Sequence, residues 1–128
     1  MATRTREKGA ARAESRDKRP QAHAKNIRLS SRKAKIVLDL IRGKDADQAL
    51  AILQFTPKAA SPVIYKVLSS AIANAVNNQD MDRSQLYVAE CYANPGPTLK
   101  RYVARSRGSA SPMPKRPCHI SVVLDQKK

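Results

Sequence analysis

The sequence predicts an α+β protein, because the spacing of its apolar residues changes partway along the chain of 128 residues. Apolar positions recur at helical spacing from residue 27 to about residue 78. From Leu86 onward the pattern changes to runs of strand-forming residues. A long basic segment at about 94–118 separates two such runs. Its position predicts a long β-hairpin that projects from a sheet.

Three helices are expected before the strands. Ser30 or Ser31 caps the first, which ends at Gly43, and Asp45 caps the second. The third follows Thr56-Pro57, with a kink or restart predicted at Ser61-Pro62 because proline lacks the backbone donor. Their core-facing stripes are Ala34, Val37, Leu38 and Ile41, then Ala46, Ala49, Leu50 and Leu53, then Ala60, Ile64, Val67, Leu68, Ala71, Ile72, Ala75 and Val76.

Composition limits the class of partner. The chain has 25 Lys and Arg against 10 Asp and Glu, a formal net charge of +15. So much positive charge repels itself unless an anionic partner neutralises it, so nucleic acid is the first candidate and an anionic membrane surface the second. No run approaches the roughly 20 apolar residues of a membrane span, and residues 1–26 lack the apolar stretch of a secretory signal. We expect no membrane partner.

Residues 1–25 are predicted to form a basic, disordered arm, and residues 26–128 a single globular domain that includes the hairpin. The arm holds Met1 as its one large apolar side chain, so burial cannot offset the entropy of ordering it. An organellar transit peptide is an alternative, although such peptides contain few acids and this arm contains three.

Basic residues at the start of the first helix indicate a phosphate contact at residues 30–35. Cations in a first turn oppose the helix dipole, at a cost of about 0.3–1 kcal/mol each. A phosphate bound at the free N–H groups reverses the sign of that contribution. The alternative is that these side chains simply extend into solvent. The residues expected to bind are Arg28, Ser30, Arg32, Lys33 and Lys35.

The segment 94–118 is the strongest functional signal. It contains six Lys and Arg, no acid and five of the eight prolines, and Gly108 lies near its middle, where a turn can use it. About eight residues per arm at ~3.3 Å each give a reach of some 25 Å. Isolated hairpins are marginal in water, so an anionic partner is expected to enclose this one; a mobile, solvated loop is the alternative. The predicted contacts are Lys100, Arg101, Tyr102, Arg105, Arg107, Lys115 and Arg116.

The five aromatic residues are too few for a platform that stacks successive bases. Phe55 and Tyr65 fall on helical core positions and are expected to be buried. Tyr87 and Tyr92 face opposite sides of a strand, which leaves Tyr102 as the expected stacking residue. Recognition should therefore depend on phosphates and shape.

Catalytic and metal signals are weak. There is no glycine-rich phosphate loop, G-x-S-x-G or H-E-x-x-H pattern. Cys91 and Cys118 fit structural thiols in a reducing compartment. A zinc site with His23 and His119 lacks paired ligand spacing, and a ribonuclease would need those two histidines together. We expect no enzyme, metal, cofactor or small-molecule substrate.

A helix-turn-helix DNA-binding factor is the rival interpretation. The first two helices meet at Arg42-Gly43-Lys44, a short turn that contains glycine. However, the second helix offers Gln48 and Gln54 and no basic residue for reading bases.

Six blocks in order, from Lys25 to about Asp125, resemble the bacterial large-subunit ribosomal protein L22 family. The blocks are Arg28-Leu29-Ser30-Ser31-Arg32-Lys33-Ala34, Asp39-Leu40-Ile41-Arg42-Gly43-Lys44, Leu53-Gln54-Phe55-Thr56-Pro57-Lys58, Ser70-Ala71-Ile72-Ala73-Asn74-Ala75, Gly96-Pro97-Thr98-Leu99-Lys100-Arg101 and His119-Ile120-Ser121-Val122-Val123. The chain departs from the family pattern at Ser31, Pro95 and Ala104, and at 112–114.

The resemblance implies three helices packed on a small three-stranded antiparallel sheet with a long protruding hairpin. It implies a structural, rRNA-binding protein of the cytoplasmic ribosome, which binds large-subunit (23S) rRNA and aids subunit assembly. Implied partners are neighbouring large-subunit proteins and the nascent polypeptide, because the hairpin tip would line the exit tunnel. The implied tip residues are Arg105, Ser106, Arg107, Gly108 and Ser109.

Overall fold

A computed structural model describes residues 2–15 and 17–127, which form an α+β structure. The helices are α1 (Ala2–Glu14), α2 (Ser31–Ile41), α3 (Ala46–Phe55) and α4 (Ser61–Gln79), with 3₁₀ turns at Arg83–Gln85 and Ser106–Gly108. The strands are β1 (Gln21–Ile27), β2 (Leu86–Pro95), β3 (Tyr102–Ala104), β4 (Ala110–Pro112) and β5 (Cys118–Gln126). The described part thus has four helices, and the prediction of three was wrong because it omitted α1.

The main sheet is antiparallel and three-stranded, as expected, with strand order β1-β5-β2. The central strand β5 pairs with β2 from Leu86↔Gln126 to Pro95↔Cys118. On its other side it pairs with β1, beginning at Gln21↔Val123. Residues 120–124 of β5 are buried in succession, so both faces of this strand are covered.

The core lies between this sheet and helices α2, α3 and α4. All four stripe residues predicted for the first helix are buried in α2, which packs against β2. In α4 the predicted stripe is buried except for its last member, Val76. Each fully buried Leu or Ile contributes about 1.5–3 kcal/mol relative to an exposed position, so these stripes hold the helices on the sheet.

Helix α4 begins at Ser61, four residues later than the start expected at Pro57. Residues 56–60 form a turn instead, in which Lys58 N donates to Thr56 O (2.8 Å) and Ser61 N donates to Lys58 O (2.9 Å). Pro62 lies in the first turn, where its missing N–H needs no partner, so the break predicted at Ser61-Pro62 is the start of the helix and not a restart within it. The helix passes Asn77-Asn78 and ends with Asp80 in the left-handed conformation (φ 50°).

The boundary between arm and body lies earlier than predicted. Residues 21–25 belong to β1, and Leu124 N donates to Pro20 O (2.9 Å) just before it. Arg19 adds ion pairs to Asp17 (2.7 Å) and to Glu90 (2.8 Å) of β2. Helix α1 is exposed at each position from 3 to 14. Disorder of the arm in the free protein stays a prediction, and Met1 and Arg16 lie outside the described residues.

Across residues 2–15 and 17–127, no helix is long and apolar enough to cross a membrane.

Candidate nucleic-acid interface

The hairpin continues the pairing of β2 with β5 beyond the main sheet. Gly96 N donates to Pro117 O (2.8 Å), and Leu99 and Lys115 exchange two backbone hydrogen bonds (2.9 and 2.8 Å). Further out, β3 pairs with β4 from Tyr102↔Pro112 to Ala104↔Ala110. The predicted hairpin at about 94–118 is therefore an antiparallel ladder that extends from the body.

The ladder closes at a tight turn. Arg105 N donates to Ser109 O (2.8 Å), which leaves Ser106, Arg107 and Gly108 as the turn. Gly108 (φ 74°) and Arg107 (φ 57°) are both left-handed, and glycine adopts that conformation without steric cost. The Ser109 hydroxyl donates to Ser106 O (2.9 Å) and braces the turn. The prediction that Gly108 serves the turn is confirmed.

The hairpin presents its charge to solvent. From 97 to 116 every residue is exposed except Ser111, which is half-buried. The ion pairs of the described chain use Arg19, Arg42, Arg83 and Lys127 as cations. None of the six hairpin cations is among them, so this surface presents positive charge with no internal carboxylate to neutralise it.

A basic cleft of about 360 Å³ lies where the hairpin leaves the body. Arg28, from the segment before α2, meets both sides of the hairpin there. The cleft is lined by Arg28, Leu99, Arg101, Lys115, Arg116 and Pro117. The fold thus brings Arg28, a predicted contact of the body, next to predicted contacts of the hairpin that lie far from it in sequence.

Gly96 and His119 hold the hairpin base, a role that the sequence reasoning missed for Gly96. A Cβ at position 96 would lie 3.2 Å from two atoms of the His119 ring and 3.3 Å from Pro117 Cγ. The His119 ring is held in turn, because the backbone N–H of Asn26 donates to its Nδ1 (3.0 Å). The one signal for Gly96 in the sequence is its position between Pro95 and Pro97.

The start of α2 has the expected cap and charge. The Ser30 side chain accepts from Lys33 N (3.5 Å), and the first turn contains no acid. Arg32, Lys33 and Lys35 are exposed. A phosphate contact at residues 30–35 stays a prediction.

Two aromatic residues contradict their predicted burial. Phe55, the last residue of α3, is 84% exposed, and Tyr65 on α4 is 38% exposed. Both continue an apolar stripe in sequence, but neither faces the core where α3 and α4 pack. Tyr102 on the hairpin is 69% exposed, as a stacking role requires.

The two histidines and Cys91 each have a different hydrogen-bond partner, so they do not form one site. His23 Nδ1 lies 2.9 Å from Ser121 Oγ, whereas His119 bonds to Asn26. The Cys91 thiol donates to Leu38 O (3.4 Å), and burial raises the pKa of this thiol and of Cys118. No group of three or more His, Cys, Asp or Glu that could hold a metal occurs within the described ranges.

The geometry of α3 disfavours the helix-turn-helix interpretation. Ala46, Ala49 and Leu53 bury one face against the core. The exposed Asp47 pairs with Arg83 (2.7 Å) and places a carboxylate where a recognition helix needs donors. We therefore do not assign α3 a base-reading role.

Acidic residues collect at the end of the body opposite the hairpin. There β2 begins and β5 ends, at Leu86↔Gln126. Asp45 bridges to Tyr87 and pairs with Lys127, and Asp82 and Asp125 flank the two strand ends. Lys44, Arg83 and Lys127 share this end, and ion pairs with Asp45 and Asp47 offset their charge, so it is close to neutral whereas the hairpin is purely basic.

A small α+β body with an exposed, unneutralised basic hairpin is typical of proteins that bind polyanions through phosphates. The chain belongs to the family described as ribosomal protein L22p/L17e, whose family model matches residues 22–125. The family expected from the sequence is thereby confirmed.

Relatives of high similarity carry the name large ribosomal subunit protein uL22. That of Lacticaseibacillus casei is 56% identical over 107 residues, which cover 84% of this chain and 92% of the relative. The protein of Pediococcus pentosaceus is 55% identical over 108 residues, which again cover 84% of this chain and 92% of the relative. The protein of Lactobacillus delbrueckii subsp. bulgaricus is 55% identical over 106 residues, which cover 83% of this chain and 91% of the relative.

Proposed function

We propose that this protein is a structural constituent of the large ribosomal subunit and binds 23S rRNA through phosphate contacts. The observation that carries the proposal is the exposed hairpin whose six cations have no carboxylate partner among the described residues. An RNA that encloses the hairpin supplies the missing negative charge on both of its faces. The family supports the same role, because its curated members are named as large-subunit proteins.

Two surfaces share the binding in this proposal. The body presents Arg28, Ser30, Arg32, Lys33 and Lys35, and the hairpin presents Lys100, Arg101, Tyr102, Arg105, Arg107, Lys115 and Arg116. The cleft at the hairpin base joins the two surfaces, so one RNA strand can contact both. A protein that contacts separate RNA segments holds them in a fixed relation, and this is how we propose that it aids subunit assembly.

The hairpin tip is proposed to line the polypeptide exit tunnel, with 105–109 facing the nascent chain. Support comes from the length of the ladder and the exposure of its turn. The role is one of binding and shaping, and we propose no catalytic step, cofactor or metal. The proposed location is the cytoplasmic ribosome, with neighbouring large-subunit proteins as further partners.

The proposal is tested by competition between RNA and DNA. The full chain is bound to fluorescent transcripts of large-subunit rRNA, and unlabelled rRNA or duplex DNA of equal phosphate content is added. We expect rRNA to displace the probe at much lower concentration than DNA, and the protein to co-sediment with large subunits at low salt. Equal competition by DNA, or absence of the protein from the subunits at low salt, would contradict the proposal.

A further inference from the structure

A groove of about 500 Å³ lies between the end of α3 and the first turns of α4. Leu53, Pro62 and Tyr65 form its apolar wall, and Lys66 lies beside them. Tyr65 is 38% exposed and is the one aromatic residue that lines the groove. An aromatic ring that does not serve the core is therefore presented at this surface groove.

The groove also contains a buried polar group without a partner. Ser61 is 2% exposed, and its Oγ is the one buried side-chain N or O atom in the described ranges with no hydrogen bond. The neighbouring Thr56 hydroxyl is satisfied, because it donates to Ile52 O (2.6 Å). A buried hydroxyl without a partner carries a desolvation penalty, which a ligand with a hydrogen-bonding edge can remove.

The surroundings of the groove suit an anion. None of its lining residues is acidic. The same holds for two adjoining grooves, one of which is lined by Lys66 and His23 and the other by Lys33 and Lys58. Lys33 belongs to the surface already proposed to bind rRNA, and its groove meets the α3–α4 groove at the turn of residues 56–61.

We propose that the α3–α4 groove binds one unpaired nucleobase of the rRNA, stacked on Tyr65, with an adjacent phosphate at Lys66. This inference rests on the proposed function. A nucleotide combines a flat π surface, a hydrogen-bonding edge and a negative charge, which match the Tyr65 ring, the Ser61 hydroxyl and the lysine. An apolar side chain from a neighbouring protein would satisfy neither Ser61 nor Lys66, so a nucleobase is favoured.

The test compares aromatic replacements in the full chain, with the affinity for large-subunit rRNA transcripts measured over a range of salt concentrations. Tyr65→Leu keeps an apolar side chain of moderate size but removes the stacking ring. It should weaken binding by roughly tenfold at every salt concentration, because base stacking does not depend on counterion release. Tyr65→Phe keeps the ring and should bind as the wild type does.

Tyr92→Leu is the matched control, because Tyr92 is 41% exposed on β2, away from the groove. It should leave the affinity unchanged, and thermal melting confirms that each variant folds. Wild-type affinity of Tyr65→Leu would overturn the inference. If the hairpin variant Arg105→Ala/Arg107→Ala weakened rRNA binding while the groove variant did not, the proposed function would stand and only the groove inference would fall.

A second result would also overturn the inference. If Tyr65→Leu bound naked rRNA normally but was lost from assembled subunits, the groove would hold a protein and not a base. Failure of the wild-type chain itself to bind rRNA would remove the proposed function and this inference together.

Discussion

Gly96 decides how closely the hairpin base can pack, because its missing side chain leaves space for the His119 ring. That ring is fixed from the other side by the backbone of Asn26, so it cannot simply rotate away. The result is a tight contact between β1, β5 and the start of the hairpin. Adding one methyl group at position 96 therefore tests whether the hairpin base is rigid.

Gly96→Ala should lower the free energy of unfolding by about 1 kcal/mol or more, because the new methyl group must displace His119 or Pro117. Urea unfolding followed by circular dichroism measures the change. Gly9→Ala is the control, since nothing lies within 4 Å of a Cβ there. Unchanged stability of the Gly96 variant would show that the junction yields easily.

Among the elements, the hairpin is the one whose function separates most cleanly from stability. Its outer part, β3 and β4, lies beyond the main sheet and buries no residue. In that part Arg105 makes one side-chain hydrogen bond, from Nε to Ser111 Oγ (3.3 Å). Its charges can therefore be removed without opening the core.

Replacing Arg105 and Arg107 together with Ala should weaken rRNA binding while the melting temperature stays nearly unchanged. The matched control is Lys44→Ala/Arg83→Ala, which removes the same charge from the part of the body away from the hairpin. Only the hairpin pair should lose substantial affinity. A large fall in its melting temperature would mean that the tip supports the fold.

Elements with a strong pattern of their own could be predicted from sequence, and elements decided by tertiary contacts could not. Helix α2 has both a serine cap and a complete apolar stripe, and β5 has a run of strand-forming residues from Ile120 to Leu124. Strand β1 consists of Gln-Ala-His-Ala-Lys-Asn-Ile, which has little strand propensity, and forms because β5 offers an unpaired edge.

The candidate site divides in the same way. An absence of acids is visible in the sequence, so the basic hairpin could be recognised. The exposure of Phe55 depends on the angle at which α3 meets α4, and apolar spacing carries no information about that angle. The contact of Gly96 with His119 joins residues from two strands, and a single sequence does not reveal the pairing.

For the whole molecule, the net charge of +15 makes binding depend on salt. If about six phosphates are neutralised, affinity should fall by roughly a thousandfold between 50 and 200 mM salt, because bound counterions are released. Titrations of labelled rRNA over that range measure the slope. An affinity that does not change with salt would contradict phosphate binding.

The concentration of unpaired positive charge on the hairpin has a consequence for the approach to RNA. Six unpaired cations lie on the hairpin, whereas the opposite end of the body is close to neutral because its carboxylates pair with cations, and this uneven distribution gives the protein an electric dipole moment. In the field of a polyanion, that moment exerts a torque before any contact forms. The molecule therefore arrives tip first, and correctly oriented encounters become more frequent than random collision allows.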